Sequence, residues 1–434
     1  MHRTRVSLRF AVTFAGLLIA LSVQPARAVT ITSLQDNFDT LDNAKWSLIN
    51  ADFEAGTSTI GANANGQLTL TSTSVTSFWG GAVLQSVNTF ASDKPTLISV
   101  DRVSQTGSGT AHRSALQIRQ ADGTYMMLSQ NIGEGGWQTN ANVAGTGANI
   151  ASLDALDNIA DQRKMTFAYI PLGGNNAQIV SMVDGFVVDS DTFAGNWENG
   201  TDFNVRVAGL SRQAGDTVTA TFDNVNAKVM NLVAPIVTAT PSAGAFIVSG
   251  NDLLTNVTPS IVGTLAGQEG TSANPAILTN GLFGTADAID GAQNVAIGNN
   301  TIALTYALDL SSAPLGYDIT EIAAFTGWQD GGRTDQDYIV LLSFVDDPGS
   351  FFPIANIDAN TGDNSLKVSL ANGGAVMASG VHSVRFQFLG QENGHVGYRE
   401  LDVIGTATVV PEPASALLGA MGMGLLALRR KRIA

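Results

Sequence analysis

Short stretches of alternating apolar and polar residues, separated by glycine-containing turns about every ten residues, most constrain the fold of this chain. A strand places successive side chains on opposite faces, so this alternation predicts half-buried strands. Asp122-Gly123 and Asp184-Gly185 each separate two such stretches, and Asp-Gly is a strong signal for a tight hairpin turn. No long segment of the body has the helical period of about 3.6 residues. The pattern predicts an all-β protein of two β-sandwich or jelly-roll domains.

Composition agrees with this pattern. The chain has 434 residues, of which 46 are glycine and only 14% are charged. Such a composition favours strands and turns over surface helices. Because the chain has no cysteine, stability has to come from apolar cores, with bound ions as a further contribution.

A boundary between two domains is predicted where Pro235, Pro241 and Pro259 occur among small polar residues. We expect domains at 29–230 and 250–405, joined by a linker at 231–249. In the first domain, strands are predicted at Gly66–Thr71, Gly81–Leu84, Thr96–Val103, Ser114–Arg119, Tyr125–Ser129, Met165–Ile170, Gln178–Val183, Phe186–Asp189, Phe203–Leu210 and Val218–Val229. In the second, they are predicted at Thr301–Leu310, Tyr317–Thr326, Gln336–Phe344, Ser365–Leu370, Ser383–Phe388 and Gly397–Ile404.

Charge is distributed unevenly along the chain. Four of the 22 basic residues precede residue 29 and four follow residue 410, whereas 36 of the 37 acidic residues lie between them. The body therefore carries 14 basic and 36 acidic residues, a net charge near −22. This balance argues against nucleic acid as a partner, because phosphates require a basic surface. It suits an extracellular protein with carboxylates available for divalent cations.

The N-terminus has the three parts of a secretory signal peptide. His2, Arg3, Arg5 and Arg9 form a basic region, and residues 10–23 are mostly apolar. Residues 25–28, Pro-Ala-Arg-Ala, then supply a small-residue cleavage site. We expect residues 1–28 to be removed, so that the mature chain begins near Val29.

The tail, 409–434, also has three parts. Two prolines favour an extended backbone, the uncharged run 414–428 predicts a transmembrane helix, and a basic cluster follows. Fifteen helical residues span roughly 22 Å, which is short of a bilayer core of about 30 Å, although snorkelling arginines and local thinning reduce the shortfall. A buried C-terminal helix is the alternative, but an extended Pro-Glu-Pro and four terminal cations argue against it. The motif residues are Pro411, Glu412, Pro413, Arg429, Arg430, Lys431 and Arg432.

This tail resembles the PEP-CTERM sorting signal of Gram-negative bacteria. The resemblance implies that an exosortase in the inner membrane recognises the motif, removes the tail and passes the protein to the cell surface or an exopolysaccharide matrix. It implies a destination and no activity.

The first domain is similar to concanavalin A-like (LamG-like) lectin and glucanase sandwiches. The similarity rests on Asp36-Asn-Phe-Asp with Trp46, on Asn65-Gly-Gln-Leu-Thr-Leu70 and on the closing Phe222-Asp-Asn-Val225. That family contains sugar-binding modules and glycoside hydrolases. Its retaining glucanases carry a Glu-x-Asp-x-Glu strand, because two carboxyl groups about 5 Å apart must act together on one face. The sequence has no such motif, so we expect a non-catalytic domain.

The second domain resembles the galactose-binding-like, discoidin-type jelly roll. The similarity rests on residues 318–351, which include Trp328 and Arg333, and on the closing stretches 383–388 and 397–405. Such jelly rolls hold a structural Ca²⁺ between an early loop and a glutamate of the last strand. The resemblance implies a site formed by Asn280, Asp287, Asp290 and Glu400. The alternative for Glu400 is a salt bridge to Arg399 or Arg385.

Members of this jelly-roll family also bind sugars by stacking them on aromatic side chains at loop tips. Trp328 lies in a predicted loop with Asp330 and Arg333, which makes these three residues candidate ligands of a glycan. The alternative is that Trp328 packs beneath its own loop.

Three hypotheses for function follow. The chain is a surface or matrix protein that binds extracellular polysaccharide, a glycoside hydrolase or lyase with a divergent site, or a structural surface protein without a ligand. The missing carboxylate strand weakens the second hypothesis, and the sequence does not separate the first from the third.

Overall fold

The fold consists almost entirely of β-strands, 25 of them in the part of the chain that the structure describes. This part of the computed structural model comprises residues 28–409 except 51–56, 76–79, 110–111, 124, 133–136, 144–145, 153–161, 196, 198–200, 212, 266, 268, 286–294, 298–301 and 391. The all-β prediction is confirmed. The signal peptide, apart from Ala28, and the Pro-Glu-Pro, apolar and basic parts of the tail lie outside the described residues.

Fifteen strands form the first domain. They are β1 Ser33–Asp36, β2 Trp46–Asn50, β3 Thr57–Ala62, β4 Leu68–Thr73, β5 Gly80–Ser86, β6 Thr96–Gly107, β7 His112–Gln120, β8 Tyr125–Ile132, β9 Trp137–Val143, β10 Thr146–Ser152, β11 Arg163–Gly173, β12 Asn176–Val183, β13 Phe186–Ala194, β14 Phe203–Ser211 and β15 Thr217–Val229.

These strands form two antiparallel sheets. The eight-stranded sheet has the order β13-β12-β11-β6-β15-β4-β3, with β1 paired to β15, and the seven-stranded sheet has the order β10-β9-β8-β7-β14-β5-β2. Strictly alternating burial along β4 shows how one face of a strand enters the core. The core contains Phe167 and Phe222 from one sheet and Leu116 and Val207 from the other, so the two sheets pack as a sandwich.

The Asp184-Gly185 turn joins β12 to β13 as the sequence predicts. Both residues have a positive φ, 52° for Asp184 and 76° for Gly185. This combination suits the tight hairpin turn whose twist matches that of the flanking strands. The turn brings Val183 opposite Phe186 at the end of the ladder.

Ten strands and two short 3₁₀ helices form the second domain. They are β16 Ile236–Ser242, β17 Ser260–Val262, η1 Pro275–Thr279, β18 Val295–Ile297, β19 Ala303–Ala307, β20 Tyr317–Gly327, β21 Gln336–Phe344, β22 Asp347–Ala359, β23 Ser365–Ala371, β24 Ala378–Phe388, η2 Glu392–Gly394 and β25 Val396–Ala407.

The ten strands form two layers that meet at one corner. One layer has the order β16-β23-β20-β25-β18 and the other has the order β17-β19-β24-β21-β22. The layers join where Tyr317 of β20 pairs with Val381 of β24. Tyr338, Phe388 and Tyr398 contact one another between the layers, with ring centroids 4.8–6.2 Å apart. This arrangement agrees with the predicted second sandwich.

The two domains share an apolar core. Val180 and Met182 on the outer face of the eight-stranded sheet belong to the same buried cluster as Phe351 and Phe352 of β22. Polar contacts reinforce this interface: Val187 N donates to Gln387 Oε1 at 2.8 Å, and Gln387 Nε2 donates to Val187 O at 3.0 Å. The second domain therefore covers part of the outer face of the eight-stranded sheet, on β6, β11, β12 and β13.

The segment predicted as a linker, 231–249, is partly a strand. Its residues 236–242 form β16, which pairs along its whole length with β23 at the edge of the second domain. Exposed apolar residues such as Ile236 and Val237 are tolerated there because an edge strand is stabilised by backbone hydrogen bonds. Prolines at 235 and 241 are compatible with an edge strand, which needs backbone donors on one side only.

Within the described residues, no helix has the length and apolar character needed to cross a bilayer.

Candidate metal centre

Glu400 and Asp402 lie two residues apart on β25, so both side chains leave the same face of the strand. Leu401 and Val403 point the other way, into the core between the layers, where both are completely buried. Alternation on one strand thus directs two carboxylates to the outer face of their layer.

Asp252 reaches the same place from the loop before β17. The loop crosses β25, because Leu253 N donates to Val403 O at 2.8 Å. Val403 N lies 3.3 Å from Asp252 Oδ1, and Ser249 N donates to Asp402 Oδ2 at 2.9 Å. These hydrogen bonds fasten the loop across β25 and hold Asp252 beside the other two carboxylates.

An aromatic cluster covers the neighbouring part of the same face. Phe325 pairs directly with Glu400 across β20 and β25. Its ring lies 5.9 Å from that of Phe246 and 6.4 Å from that of Phe283, centroid to centroid. The rings belong to a small apolar cluster, which keeps water away from Glu400, whose exposed fraction is 0%.

Burial dominates the electrostatics of the site. It raises the pKa of Glu400 to about 8, and the nearby carboxylates of Asp402 and Asp252 add to this effect. The hydrogen bond from Gly281 N to Glu400 Oε1, at 3.0 Å, acts in the opposite direction. Burial likewise raises the pKa of Asp402 to about 7, against the hydrogen bond from Ser249. Three ionised carboxylates at this place therefore need a compensating positive charge.

The site also contains unsatisfied oxygen atoms. Glu400 Oε2 and Asp402 Oδ1 are buried and have no hydrogen-bond partner among the described residues. Leaving a buried acceptor unpaired costs about 1–3 kcal/mol, and more for a charged group. Both atoms are thus available to a ligand that supplies positive charge.

The donor set fits a calcium ion. Asp252, Glu400 and Asp402 each offer one carboxylate oxygen, and these three atoms all lie within 4.8 Å of one another. Ca²⁺ binds oxygen at about 2.3–2.6 Å, so ligands on opposite sides of the ion are roughly 5 Å apart. Carboxylate oxygens are the ligands that this cation prefers. These three residues would hold the ion, which would offset their mutual repulsion.

The predicted ligands agree with this site only in part. Glu400 is one of its three carboxylates, and Asn280 directly precedes Gly281, which donates to Glu400. The side chain of Asn280 instead accepts a hydrogen bond from Leu282 N at 2.9 Å. Asp287 and Asp290 lie outside the described residues.

Among the described residues, Glu400 forms no salt bridge with Arg399 or Arg385. Arg399 Nη1 donates to Phe283 O at 3.0 Å, and its Nε donates to Gly327 O at 3.2 Å. Arg385 lies in the other layer, with its guanidinium stacked 3.9 Å above the ring of Phe351.

Asp252 and Asp402 were not predicted as ligands. A sequence signal existed for Asp402, since an acidic residue two positions after Glu400 on a strand must share its face. No comparable signal existed for Asp252, because it is 148 residues from Glu400 along the chain and only the path of the loop brings it there.

The second predicted site, at Trp328, is closed. The Trp328 side chain is 1% exposed and meets the His395 ring edge-on, 5.3 Å between centroids. Arg333 lies 5.5 Å above the indole and donates to Glu269 at 2.7 Å, whereas Asp330 is exposed and accepts from Gly332 N. Trp328 is therefore packed inside the fold, in agreement with the alternative that it packs beneath its own loop. Stacking on a sugar would require an exposed ring face.

A cleft of about 420 Å³ lies between the domains. Apolar side chains such as Leu172, Val233 and Phe352 form much of its wall, and Gln178 and Asn356 contribute polar groups. Sites for small ligands typically have volumes of about 300–1,000 Å³ and often lie at domain interfaces.

We compared the chain with families of known proteins, with curated proteins and with solved structures. A family model described as the PEP-CTERM protein-sorting motif matches residues 409–432. The prediction of a sorting signal in the tail is thereby confirmed, and such a motif indicates export with exosortase-dependent sorting. No curated protein matches the chain.

Several solved structures resemble part of the chain. A β-1,3-1,4-glucanase (lichenase) from a mouse hindgut metagenome is 17% identical, with a TM-score of 0.35, covering 46% of this chain and 100% of the enzyme. The Bacillus licheniformis β-glucanase is 16% identical, with a TM-score of 0.35, covering 46% of this chain and 99% of the enzyme. The lectin UEA-II, in complex with galactose, is 6% identical, with a TM-score of 0.32, covering 45% of this chain and 97% of the lectin.

Proposed function

We propose that this chain is the precursor of a non-catalytic protein of the cell surface or the exopolysaccharide matrix, which binds carbohydrate and is stabilised by Ca²⁺. The sorting motif at 409–432, directly after the last strand, is the observation that carries this proposal. In it, an exosortase in the inner membrane removes the tail during export, and the mature protein begins near Val29 and contains the body, residues 29–410.

Intact-mass measurement of the protein recovered from the cell surface tests the sorting step. The measured mass should correspond to a protein that begins near Val29 and lacks the residues after Pro413. Surface material that retains Arg429–Arg432 contradicts the proposal. A strain without the sorting enzyme serves as the control and should keep the whole tail in the membrane fraction.

Carbohydrate binding is the proposed activity, and the interdomain cleft is its proposed site. The second domain covers the outer face of the eight-stranded sheet on β6, β11, β12 and β13, so a ligand cannot lie across that part of the face. The cleft beside this contact offers apolar walls for the C–H faces of sugar rings and, at Gln178 and Asn356, amides for their hydroxyls. The negative charge of the body favours a neutral glycan as the ligand, because it repels anionic chains.

A glycan-array screen of residues 29–409, with and without Ca²⁺, tests this activity. Glycans that bind the wild-type protein should bind several-fold more weakly to Asn356→Ala. They should bind equally well to Asp42→Asn, which changes a half-buried loop residue of the first domain. An array without any bound glycan favours the alternative of a structural surface protein without a ligand. Release of reducing ends or unsaturated products from any glycan that the protein binds would show that the protein is an enzyme.

A further inference from the structure

Among the described residues, Thr408 is the last for which hydrogen bonds to the rest of the fold are found. Its N donates to Gly316 O at 2.9 Å, and its hydroxyl donates to Asp318 Oδ1 at 2.6 Å. The same hydroxyl oxygen accepts a hydrogen bond from Gly380 N at 3.1 Å. These three contacts fix the point at which the chain leaves the second domain.

The sorting motif begins almost at this point. Only Val409 and Val410 separate Thr408 from Pro411. An extended chain advances by about 3.3–3.6 Å per residue, so Pro411 lies within roughly 10 Å of Thr408, and Ala414 within roughly 21 Å. The polar headgroup layer is itself about 5–8 Å thick on each side of the hydrocarbon. The chain exit must therefore lie close to the membrane while the apolar run 414–428 is inserted.

Four exposed residues beside the exit are uncharged, although the half-buried carboxylate of Asp318 lies at Thr408 itself. Pro314, Leu315, Ser379 and Ala407, here called the exit surface, are exposed, and Leu315 is 43% exposed. Gly316 and Gly380 bring the two loops together, because a Cβ at Gly316 would lie 2.6 Å from the Gly380 carbonyl carbon. On a body with a net charge near −22, these four uncharged residues reduce the electrostatic repulsion where the domain approaches an anionic membrane.

We propose that the exit surface docks against the membrane-embedded enzyme that removes the tail. This inference rests on the sorting step in the proposed function and adds the partner-contacting surface to it. With about 10 Å between the fold and Pro411, an enzyme that holds the motif in its active site has no room to avoid the exit surface. The domain end and the motif are thus recognised together, and a longer spacer would uncouple them.

Pulse-chase measurement of tail removal tests the inference on the full-length precursor, in a strain that has the sorting enzyme and in one that lacks it. Leu315→Glu, Leu315→Lys and Ser379→Glu change the exit surface. Ile261→Glu is the matched control, since Ile261 is similarly exposed at 41% and pairs with Leu304 on β19. Leu304 in turn pairs with Phe386, which lies six residues, or roughly 20 Å, along β24 from Gly380. Each variant is also made with about ten Gly/Ser residues inserted after Val409, enough to extend the reach by roughly 15–20 Å.

With the native spacer, all three exit-surface variants should be processed several-fold more slowly than the wild type, and Ile261→Glu should not. The inserted spacer should restore the wild-type rate in each. Rates unaffected by the variants, or slowed equally with either spacer, overturn the inference. If the glutamate variants slow tail removal but Leu315→Lys does not, the exit surface contacts anionic lipid instead of the enzyme. That outcome overturns the inference as well. If the wild type keeps its tail in the competent strain, the sorting proposal itself fails, and this inference fails with it.

Discussion

At the scale of single residues, the main energetic effect at Glu400 is the cost of burying a charged carboxylate. The side chain is completely buried beside two further carboxylates, and burial raises its pKa to about 8. A metal-free protein relieves this cost by keeping protons on the site near neutral pH, whereas a bound cation would relieve it by pairing with the carboxylates.

Substitution of Glu400 tests the cation. Chelation should lower the melting temperature of the wild-type body, 29–409, by a few degrees, because a ligand at about a hundred times its Kd adds about 2.7 kcal/mol to stability. Glu400→Gln should abolish the difference between calcium and EDTA, and Asp402→Asn should reduce it strongly. Asp309→Asn, at an exposed acidic residue of the same domain, should retain the full difference. Identical wild-type melts in calcium and EDTA would eliminate the site.

The same residues predict an unusual pH dependence in EDTA. Glu400 and Asp402 have folded-state pKa values of about 8 and about 7, both above the ordinary values of 4.5 and 3.8. The folded state therefore binds more protons than the unfolded state between these limits, and stability falls as pH rises from about 4 to about 8. Calcium should reverse the trend, because it binds the deprotonated carboxylates.

Thermal melts in EDTA at several pH values across this range provide the measurement. The double variant Glu400→Gln/Asp402→Asn should show a flatter profile than the wild type over the same range. A wild-type profile that rises towards pH 8 in EDTA would contradict the raised pKa values.

At the scale of secondary-structure elements, β16 shows that a solvent-exposed segment can still be a paired strand. Most of β16 is exposed, yet every residue of it pairs with β23. The following residues, 243–250, form no strand, and Ile247 among them is 97% exposed. A protease needs a segment that can leave the fold and extend into its active site.

Limited proteolysis should therefore cut first within 243–250 and spare 236–242. Mass spectrometry of the earliest fragments locates the cut. An earliest cut inside 236–242 would mean that β16 detaches from β23 in solution. Cuts within 96–107 or 317–344, which hold long central strands, would contradict the domain arrangement itself.

At the scale of the whole molecule, the interface between the domains determines how they unfold. Residues of both domains form one buried apolar cluster, and Gln387 donates to and accepts from the backbone of Val187. Separation of the domains would expose this apolar surface, at about 25 cal/mol per Å², and leave the backbone groups of Val187 unpaired.

We expect residues 29–409 to unfold in a single calorimetric transition in saturating calcium. The van't Hoff and calorimetric enthalpies should agree, as they do for cooperative units. Two resolved transitions would show that the shared core couples the domains too weakly to make them one unit. In EDTA, the single transition should move to lower temperature without splitting.

The sequence by itself determined many of the strands and the C-terminal sorting motif, since both are encoded locally. Alternation predicted β21 with its bounds as found, and Asp184-Gly185 predicted its hairpin, because the pleat and the turn depend on neighbouring residues. The three-part tail was recognisable for the same reason. Strand β22, Asp347–Ala359, was missed because Gly349 and Pro353 disrupt its pattern; it is tolerated as an edge strand with a bulge near Pro353.

Only the tertiary structure decided which distant residues meet. Asp252 joins Glu400 because the loop before β17 crosses β25, and no spacing along the chain encodes that path. Trp328 has the composition of a sugar-binding loop, but the fold places it beneath Arg333 and against His395. The packing of β22 on the outer face of the first domain likewise depends on how two sheets fit together. Local patterns specify which face of a strand is apolar, whereas the surface that covers that face is specified only by the complete fold.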